Sequence, residues 1–252
     1  MRQPFKAQRM RFAKSNSIGQ LAMDEQADSR ESSNIGWNAI LRSAKCHEVL
    51  AQVAALRKKG ENVYPIQHDV FRAFEDCPFK KVRVVILGQD PYANEGQAIG
   101  RAFGVSDSTD MPPSLKNIFE EVWRDYPPRL MPKPTLESWA KQGVFLLNTT
   151  LTVAHGRFNS HANIGWKEAV TIPTLEKLSA EREHLVFMLW GAHAKSFEHI
   201  LDQRRHLVLK AWHPSPRSVA GFRGCGHFRK ANNYLNKHGI EPIIWTIGKA
   251  DS

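Results

Sequence analysis

An acid, an amide and an imidazole each stand shortly after an apolar segment of the chain. The three residues are Asp90, Asn148 and His213, and the segments before them are residues 84–87, 144–147 and 207–212. A carboxylate carries negative charge, a carboxamide offers both donor and acceptor groups, and an imidazole titrates near neutral pH. If the segments are neighbouring parallel strands, these groups meet at one edge of a sheet. The pattern therefore predicts a site.

The segment that leads to Asp90 shows how the acid is placed. Gly88 ends the apolar run with a residue that can adopt any backbone angle. Pro91 biases Asp90 away from the helical region, so we expect an extended turn just beyond a strand. Open α/β sheets bind ligands at that place. Asp and Pro are also ordinary turn formers, so this stretch alone fits a turn without chemistry equally well.

Four apolar runs define the fold class, since residues 185–190 form a further one that ends at Gly191. Apolar runs separated by helical stretches are typical of parallel strands covered on both faces. The sequence therefore predicts an α/β fold with a central four-stranded parallel sheet flanked by helices. Helical spacing or capping residues mark the segments 40–56, 69–74, 114–119, 166–178, 194–201 and 231–237. Asp69 and Ser114 are expected to cap two of these helices.

The net charge suggests the chemistry of a partner. The chain holds 35 Lys and Arg against 25 Asp and Glu, a formal charge of +10. Residues 1–36 contain six basic and four acidic residues, so +8 belongs to the rest of the chain. A basic folded body suggests a polyanionic partner, although an excess of charge also serves solubility.

The length of 252 residues is enough for one large α/β domain with a tail. Residues 1–30 are basic and then polar, and we predict that they form a disordered leader. Residues 31–252 are predicted to form the folded domain. The Arg-rich start of the leader fits a nucleic-acid tether, a transit peptide or a ragged chain end, and all three stay open.

The cysteines and the apolar runs bear on the compartment. Cys46, Cys77 and Cys225 are widely spaced, so neither a disulfide framework nor a zinc site is indicated. This favours a reducing compartment, which is the cytoplasm for a bacterial protein and the nucleus or mitochondrion for a eukaryotic one. No apolar run approaches the length of a membrane span, so we expect no membrane partner.

Short motifs in one order along residues 37–245 carry a resemblance to a known family. They are Gly88-Gln89-Asp90-Pro91-Tyr92, Gly96-Gln97-Ala98, Phe103, Pro112-Pro113-Ser114-Leu115, Leu146-Leu147-Asn148-Thr149, Ser160-His161, Leu189-Trp190-Gly191 and His213-Pro214-Ser215-Pro216. Together they resemble the family 1 uracil-DNA glycosylases. Each motif alone is modest, but their shared order and spacing leave little room for chance.

The resemblance implies a three-layer α/β/α fold and a DNA repair enzyme that needs no metal and no organic cofactor. Such enzymes flip deoxyuridine out of single- or double-stranded DNA and hydrolyse its N-glycosidic bond, leaving an abasic site. Asp90 would stabilise positive charge on the sugar and orient water, and His213 would stabilise the uracil anion. The resemblance further implies a monomer and, as a second partner, an inhibitor protein that imitates DNA.

The same resemblance implies how the base is recognised. Asn148 would pair its amide donor and acceptor with O4 and N3–H of uracil. Phe103 would stack on the uracil ring. Tyr92 would stand against C5, where thymine carries a methyl group, and Gln89 would add further contacts to the base. Each of these residues also has an ordinary structural explanation, as a turn former, a core aromatic or a solvated loop residue.

Three loops are implied to hold the DNA, with His161 as polar support beside the pocket. The DNA-binding residues are Pro112, Pro113, Ser114, Gly191, Ala192, Ser215, Pro216, Arg217 and Ser218. Hydroxyl groups and backbone N–H groups bind phosphates without sequence preference, which suits an enzyme that scans DNA.

The sequence departs from the family pattern in four places. Arg217 stands where the family usually has a leucine that enters the duplex, and we expect the arginine to fill the same gap. The segment from His213 to His227 is one residue shorter than usual. Residues 93–95 replace the common His-Gly-Pro, and Ala192 replaces a frequent serine. These changes concern DNA handling more than chemistry.

Two other interpretations compete with a uracil-specific enzyme. A glycosylase of wider scope would also accept other deaminated or mismatched bases, and Tyr92 and Asn148 argue against it. A DNA-binding protein without turnover would have lost Asp90 or His213, and both are present.

Overall fold

The computed structural model describes residues 36–126 and 130–246. The predicted leader, residues 1–30, lies outside the described residues. The helices are α1 (Asn38–Leu41), α2 (Ala44–Lys58), α3 (Arg72–Asp76), α4 (Pro113–Asp125), α5 (Glu137–Lys141), α6 (Ile172–Glu181), α7 (Gly191–Lys195) and α8 (His227–Lys237). The strands are β1 (Val63–Tyr64), β2 (Val84–Gly88), β3 (Val144–Asn148), β4 (Val153–Ala154), β5 (Val186–Trp190) and β6 (Leu207–Ala211).

The four predicted apolar strands form one parallel sheet in the order β3-β2-β5-β6. β2 pairs with β3 on one side and with β5 on the other, so the strand order switches direction beside β2. Gly88, the last residue of β2, lies opposite Asn148, the last residue of β3. The carboxyl ends of the strands therefore share one edge, as the sequence predicted, and a switch point of this kind is where such sheets bind ligands.

Alternation along each strand sends side chains to two separate cores. Val85 and Leu87 pack with α1, α2, α3 and α6 on one face of the sheet. Val84 and Ile86 pack with α4, α5 and α8 on the other face. Because both faces are covered, nearly every residue of the three strands β2, β3 and β5 is buried. The architecture is the predicted three-layer α/β/α sandwich.

Several helices begin at residues other than the predicted ones. Ser114 does not cap α4, because Pro112 takes the cap position and Pro113, whose ring presets φ, is the first helical residue. Asp69 does not cap α3 either; it ends a short 3-10 turn and binds the guanidinium of Arg72. The predicted helix over 40–56 is interrupted before Ser43, whose hydroxyl caps α2.

Two further helices begin before their predicted first residues. The helix predicted at 194–201 begins earlier, at Gly191, directly after β5, and a 3-10 turn at Glu198–Ile200 follows it. α8 likewise begins four residues before the predicted 231–237. Within the described ranges, no helix is long and apolar enough to cross a membrane.

The connection into β3 depends on Gly143, which directly precedes Val144, and this yields a stability prediction. Gly143 has φ +93°, and a Cβ there would lie 2.1 Å from the Lys81 carbonyl oxygen. Gly60 has a similar φ of +90° but nothing within 4 Å. We expect Gly60→Ala to lower the free energy of unfolding by about 1 kcal/mol, through backbone strain alone. Gly143→Ala should cost about 3 kcal/mol, since the clash is added.

Urea denaturation of the two variants beside the unchanged chain measures both losses. Equal losses for Gly60→Ala and Gly143→Ala would show that the close approach to Lys81 carries no cost of its own.

Candidate active site

A cavity of about 710 Å³ opens at the carboxyl edge of the sheet. It brings together ten residues predicted from the sequence, which are Gln89, Asp90, Tyr92, Phe103, Ser114, Asn148, Ser215, Pro216, Arg217 and His213. These residues come from the end of β3, the loop after β2, the start of α4 and the loop after β6. The sheet edge therefore collects them from widely separated parts of the chain.

Asp90 stands in the loop after β2 and is partly buried. Its Oδ2 accepts a hydrogen bond from the backbone N–H of Asn159 at 2.7 Å. Burial raises the pKa of Asp90 above its ordinary value, while hydrogen bonds from the backbone N–H groups of Asn159 and of Asp90 itself oppose that rise. The carboxylate is thus held in a fixed place by a second loop, and negative charge there is only partly solvated.

Asn148 projects into the cavity because Gly88, its neighbour across the sheet, has no side chain. A Cβ on Gly88 would lie 2.2 Å from the Asn148 Oδ1. The carboxamide is 9% exposed, so it sits at the floor of the cavity. An amide held in this way presents a donor and an acceptor side by side to a planar ligand.

Phe103 forms part of the same cavity and adopts an unusual backbone conformation, with φ +63°. The preceding residue, Ala102, donates its N–H to the Leu146 carbonyl of β3 at 3.0 Å. Arg101 is also buried, and its Nε bonds the Asp76 carboxylate at 2.6 Å. These two hydrogen bonds hold the segment directly before Phe103. Phe103 itself has left-handed backbone geometry, a strained conformation that contacts with surrounding residues must impose.

His213 lies in the cavity wall, with its ring centroid 5.9 Å from that of Phe103. The backbone N–H of Ser215 donates to His213 Nδ1 at 3.0 Å. A backbone N–H can only donate, so Nδ1 carries no proton and the neutral ring carries its proton on Nε2. Burial lowers the pKa of His213 below the ordinary 6.5. The imidazole is therefore neutral at pH 7 and offers an N–H donor.

Gly191 permits the close packing behind this imidazole. Its φ is +88°, and a Cβ there would come within 3.0 Å of the His213 Cβ. The residue opens α7 directly after β5, so the chain turns sharply just behind the histidine.

Tyr92 and Gln89 complete the loop after β2. The Tyr92 hydroxyl is buried without a hydrogen-bond partner among the described residues, and burial raises its pKa. Gln89 Nε2 donates to the Asn159 Oδ1 at 3.2 Å. The same Asn159 therefore holds two neighbouring residues of this loop, one through its backbone and one through its side chain.

The predicted DNA-binding residues divide into two groups. Ser114, Ser215, Pro216 and Arg217 line the cavity, whereas Pro112, Pro113, Gly191, Ala192 and Ser218 do not. The Ser218 hydroxyl donates to the His213 carbonyl at 2.7 Å and bonds the Ser215 hydroxyl at 3.0 Å. These contacts shape the loop after β6 from within.

Helix α4 holds both ends of the loop that carries His213 and Arg217. Near the start of the loop, Asn117 Nδ2 donates to the Pro214 carbonyl at 2.7 Å. Near its end, the buried Glu121 carboxylate accepts the N–H groups of Gly224 and Gly226 at 2.7 and 3.0 Å. Both side chains lie on one face of α4, four residues apart. The helix that begins at the predicted phosphate-binding residues thus also sets the path of this loop.

His161 lies apart from the cavity. It is 3% exposed, and its Nδ1 bonds the Thr152 hydroxyl at 2.9 Å, to which Trp166 Nε1 also donates at 2.7 Å. Its Nε2 has no partner within the described ranges. The prediction that His161 supports the pocket stays a prediction, and its contacts are those of a buried residue beneath the loop.

Sequence reasoning missed Asn159, Phe158 and Arg101, which all line the cavity. Nothing in the order of residues 154–161 indicates that a backbone N–H would meet Asp90. Arg101 follows Gly100 in a glycine-rich segment, where an arginine normally stays in solvent. Among the described residues, no group of three or more His, Cys, Asp and Glu side chains could hold a metal ion.

Comparison with known proteins agrees with this geometry. The family model described as the Uracil DNA glycosylase superfamily matches residues 74–236. The Uracil-DNA glycosylase of Haemophilus influenzae is 48% identical over 217 residues, which cover 84% of this chain and 99% of that protein. These matches, together with the fold, show that the chain belongs to the uracil-DNA glycosylase superfamily.

Solved structures show the same architecture. The crystal structure of mimivirus uracil-DNA glycosylase superposes with a TM-score of 0.80 at 25% identity, covering 89% of this chain and 93% of that one. A variant of the mimivirus protein in complex with UGI superposes with a TM-score of 0.78 at 27% identity, covering 84% of this chain and 86% of that one.

The contacts of His213 predict its protonation state. We expect nitrogen NMR of the folded protein at pH 7 to show a neutral ring with its proton on Nε2, because Ser215 N–H occupies Nδ1. The midpoint of protonation should lie below the ordinary pKa of 6.5, since burial disfavours the charged ring. The same residue in the urea-unfolded chain serves as the reference. A ring that is charged at pH 7, or protonated on Nδ1, would contradict the geometry.

Proposed function

We propose that this protein is a uracil-DNA glycosylase that binds an extruded deoxyuridine in the 710 Å³ cavity and hydrolyses its N-glycosidic bond. The observation that carries the proposal is the convergence of Asp90, Asn148 and His213 on one cavity, in a chain of this superfamily. The product is free uracil and an abasic site in DNA. Hydrolysis of this bond requires only water and fixed charges around the reacting sugar.

Base selection follows from the floor and wall of the cavity. The Asn148 amide pairs with uracil O4 and N3–H, and cytosine presents the opposite pattern at those atoms. Phe103 stacks on the ring, and its position is held by the anchored segment 101–103. The Tyr92 ring occupies the space beside C5, so that a thymine methyl group has no room. Gln89, in the same loop, contacts the base.

Bond cleavage uses charge of opposite sign on the two halves of the substrate. As the C1′–N1 bond breaks, its electron pair stays with uracil and the sugar becomes an oxocarbenium-like cation. The Asp90 carboxylate stabilises that cation and orients the water whose oxygen then bonds C1′. The water proton passes to solvent. The Asn159 N–H holds the Asp90 carboxylate in place and favours its negatively charged form.

His213 acts on the departing base. Its Nε2–H donates to the uracil O2, where negative charge accumulates as the bond breaks. A neutral imidazole serves this role without transferring a proton, provided its pKa stays low, as burial ensures here. Ser215 contributes to this role, because its N–H donates to His213 Nδ1 and so leaves the ring proton on Nε2.

DNA binding is assigned to the surface around the cavity. Ser114 and Ser215 lie at its rim, and backbone N–H groups beside them bind phosphates without sequence preference. Pro112, Pro113, Gly191, Ala192, Pro216 and Ser218 belong to the same three loops. The basic body favours a polyanion, and a protein inhibitor that imitates DNA fits the same surface, as UGI binds the mimivirus protein.

Arg217 is proposed to take the place of the usual apolar wedge. It lines the cavity and is exposed, so its side chain is free to enter the duplex from which the nucleotide leaves. The arginine stem fills part of the gap, and its planar guanidinium stacks on or bonds to the unpaired opposite base.

The role of Asp90 is tested by Asp90→Asn. We expect the rate of uracil excision to fall at least about 100-fold, because the charge that stabilises the sugar cation is removed. Cleavage of uracil-containing DNA by alkali after incubation measures the abasic product. Asp202→Asn, remote from the cavity, is the matched control and should leave the rate unchanged. Equal cleavage by Asp90→Asn and the unchanged protein would remove Asp90 from the mechanism.

The role of Arg217 is tested by comparing duplex with single-stranded substrates. Arg217→Ala should reduce excision from duplex DNA about 10-fold, whereas single-stranded DNA leaves no gap to fill and should be cut at nearly the same rate. Arg217→Leu should restore most of the duplex activity. Arg204→Ala removes another exposed positive charge, at a residue that does not line the cavity, and is the control. A loss that is the same for both substrates would argue for a phosphate contact instead of a wedge.

A further inference from the structure

Phe158 has no role in the proposed mechanism, although it lines the cavity in which the reaction is proposed to take place. Of the large apolar side chains that the described residues leave exposed, it is the most exposed, at 69%. It is also a lining residue of the cavity that contains Asp90 and His213. Single exposed apolar residues are common on protein surfaces. An exposed aromatic ring at the mouth of a substrate cavity is different, because a ligand can cover it.

The exposure of Phe158 is built into a well-bonded loop. Gly156 N–H donates to the Ala93 carbonyl at 2.9 Å, and the Ser160 hydroxyl accepts the Ala154 N–H at 2.9 Å. Arg157 is ion-paired with Glu61. These bonds hold the residues on either side of the ring. The ring is therefore presented outward by a fixed backbone, and ordering it on a ligand costs little further entropy.

The position of Phe158 relative to the substrate follows from its neighbour. Asn159 N–H lies 2.7 Å from the Asp90 carboxylate, which is assigned to the sugar of the extruded nucleotide. Phe158 is one residue away, so its ring stands beside the strand that carries the uracil. Successive bases in a stacked strand are only about 3.4 Å apart, which places a flanking base within reach of the ring.

We infer that Phe158 is a stacking platform for the nucleobase next to the deoxyuridine in the same strand. The inference rests on the proposed function, and it adds a binding subsite outside the uracil pocket. Stacking on an aromatic side chain tolerates any base, because every base has a π-face. In single-stranded DNA the flanking base is free to move onto Phe158. In a duplex the same base is held by its own partner and neighbours.

The subsite therefore favours single-stranded substrates, in contrast to Arg217. Phe158 supplies affinity when the flanking base is unpaired, whereas the arginine acts only where a duplex leaves a gap. Of these two exposed side chains that line the cavity, Phe158 thus acts on single-stranded DNA and Arg217 acts on duplex DNA.

The test uses single-stranded oligonucleotides with one deoxyuridine. In the first substrate both flanking nucleotides carry bases, and in two others an abasic spacer replaces the base on the 5′ or the 3′ side. Uracil release is measured for the unchanged protein, Phe158→Leu and Phe158→Tyr. Leucine keeps an apolar side chain without a π-face, and tyrosine keeps the ring. Ile244→Ala, which alters a similarly exposed residue away from the cavity, is the control.

For the unchanged protein, the spacer on one side should raise KM about 5-fold or more, and kcat should stay nearly constant. Phe158→Leu should raise KM by a similar factor on the first substrate and lose all sensitivity to the spacer. Phe158→Tyr and Ile244→Ala should behave like the unchanged protein. On duplex DNA, Phe158→Leu should change KM by less than about 2-fold, because the flanking base is already stacked on its neighbours and does not reach the ring.

Three results would overturn the inference. The first is a Phe158→Leu variant that equals the unchanged protein on every substrate. The second is a loss that does not depend on the flanking base. The third is a fall in kcat at constant KM, which would mean that residue 158 acts through Asn159 on Asp90. If the unchanged protein released no uracil at all, the proposed function itself would fail, and that outcome is distinct from these three.

Discussion

The close approach of two strand ends underlies the arrangement of the site. β2 and β3 end opposite each other, and the absence of a side chain at Gly88 is what admits the Asn148 carboxamide. Any side chain there would occupy the place of the Asn148 oxygen. Asp90 follows two residues later, so the same strand end sets the distance between the Asn148 carboxamide and the Asp90 carboxylate. Parallel pairing makes this distance a property of the backbone.

Electrostatic effects act differently on Asp90 and His213, two titratable groups of the cavity. Burial acts on both Asp90 and His213, and in each case it favours the neutral form. For His213, the Ser215 N–H occupies Nδ1, so the neutral ring is a donor at Nε2. For Asp90, the Asn159 N–H opposes the effect of burial on the pKa. The two groups of this cavity thus differ in their electrostatics because each has a different backbone partner.

The surface around the cavity is organised by α4 and by the loop it holds. Asn117 and Glu121 bond the segment between His213 and α8 near both of its ends, so this helix holds the loop that carries the histidine and Arg217. A buried carboxylate that accepts two backbone N–H groups is a strong anchor. The start of α4, which carries predicted DNA-binding residues, is in this way joined to the loop that carries His213.

The sequence by itself determined the four parallel strands, the three layers and the convergence of an acid, an amide and an imidazole on one edge. Apolar periodicity and strand-terminal polar residues are local signals, so they can be identified without a structure. The sequence did not determine where two of the helices begin. At Pro113 the fixed φ of proline starts the helix one residue before the expected cap, and at Gly191 a sharp turn starts the helix directly after β5.

Only the tertiary structure decided the partners of the reacting groups. The bond from Asn159 to Asp90 joins residues 69 positions apart, and a backbone N–H has the same appearance in every residue of a sequence. The outward position of Phe158 is likewise a result of bonds to distant segments. Such contacts depend on how loops cross in space, which neither composition nor spacing encodes.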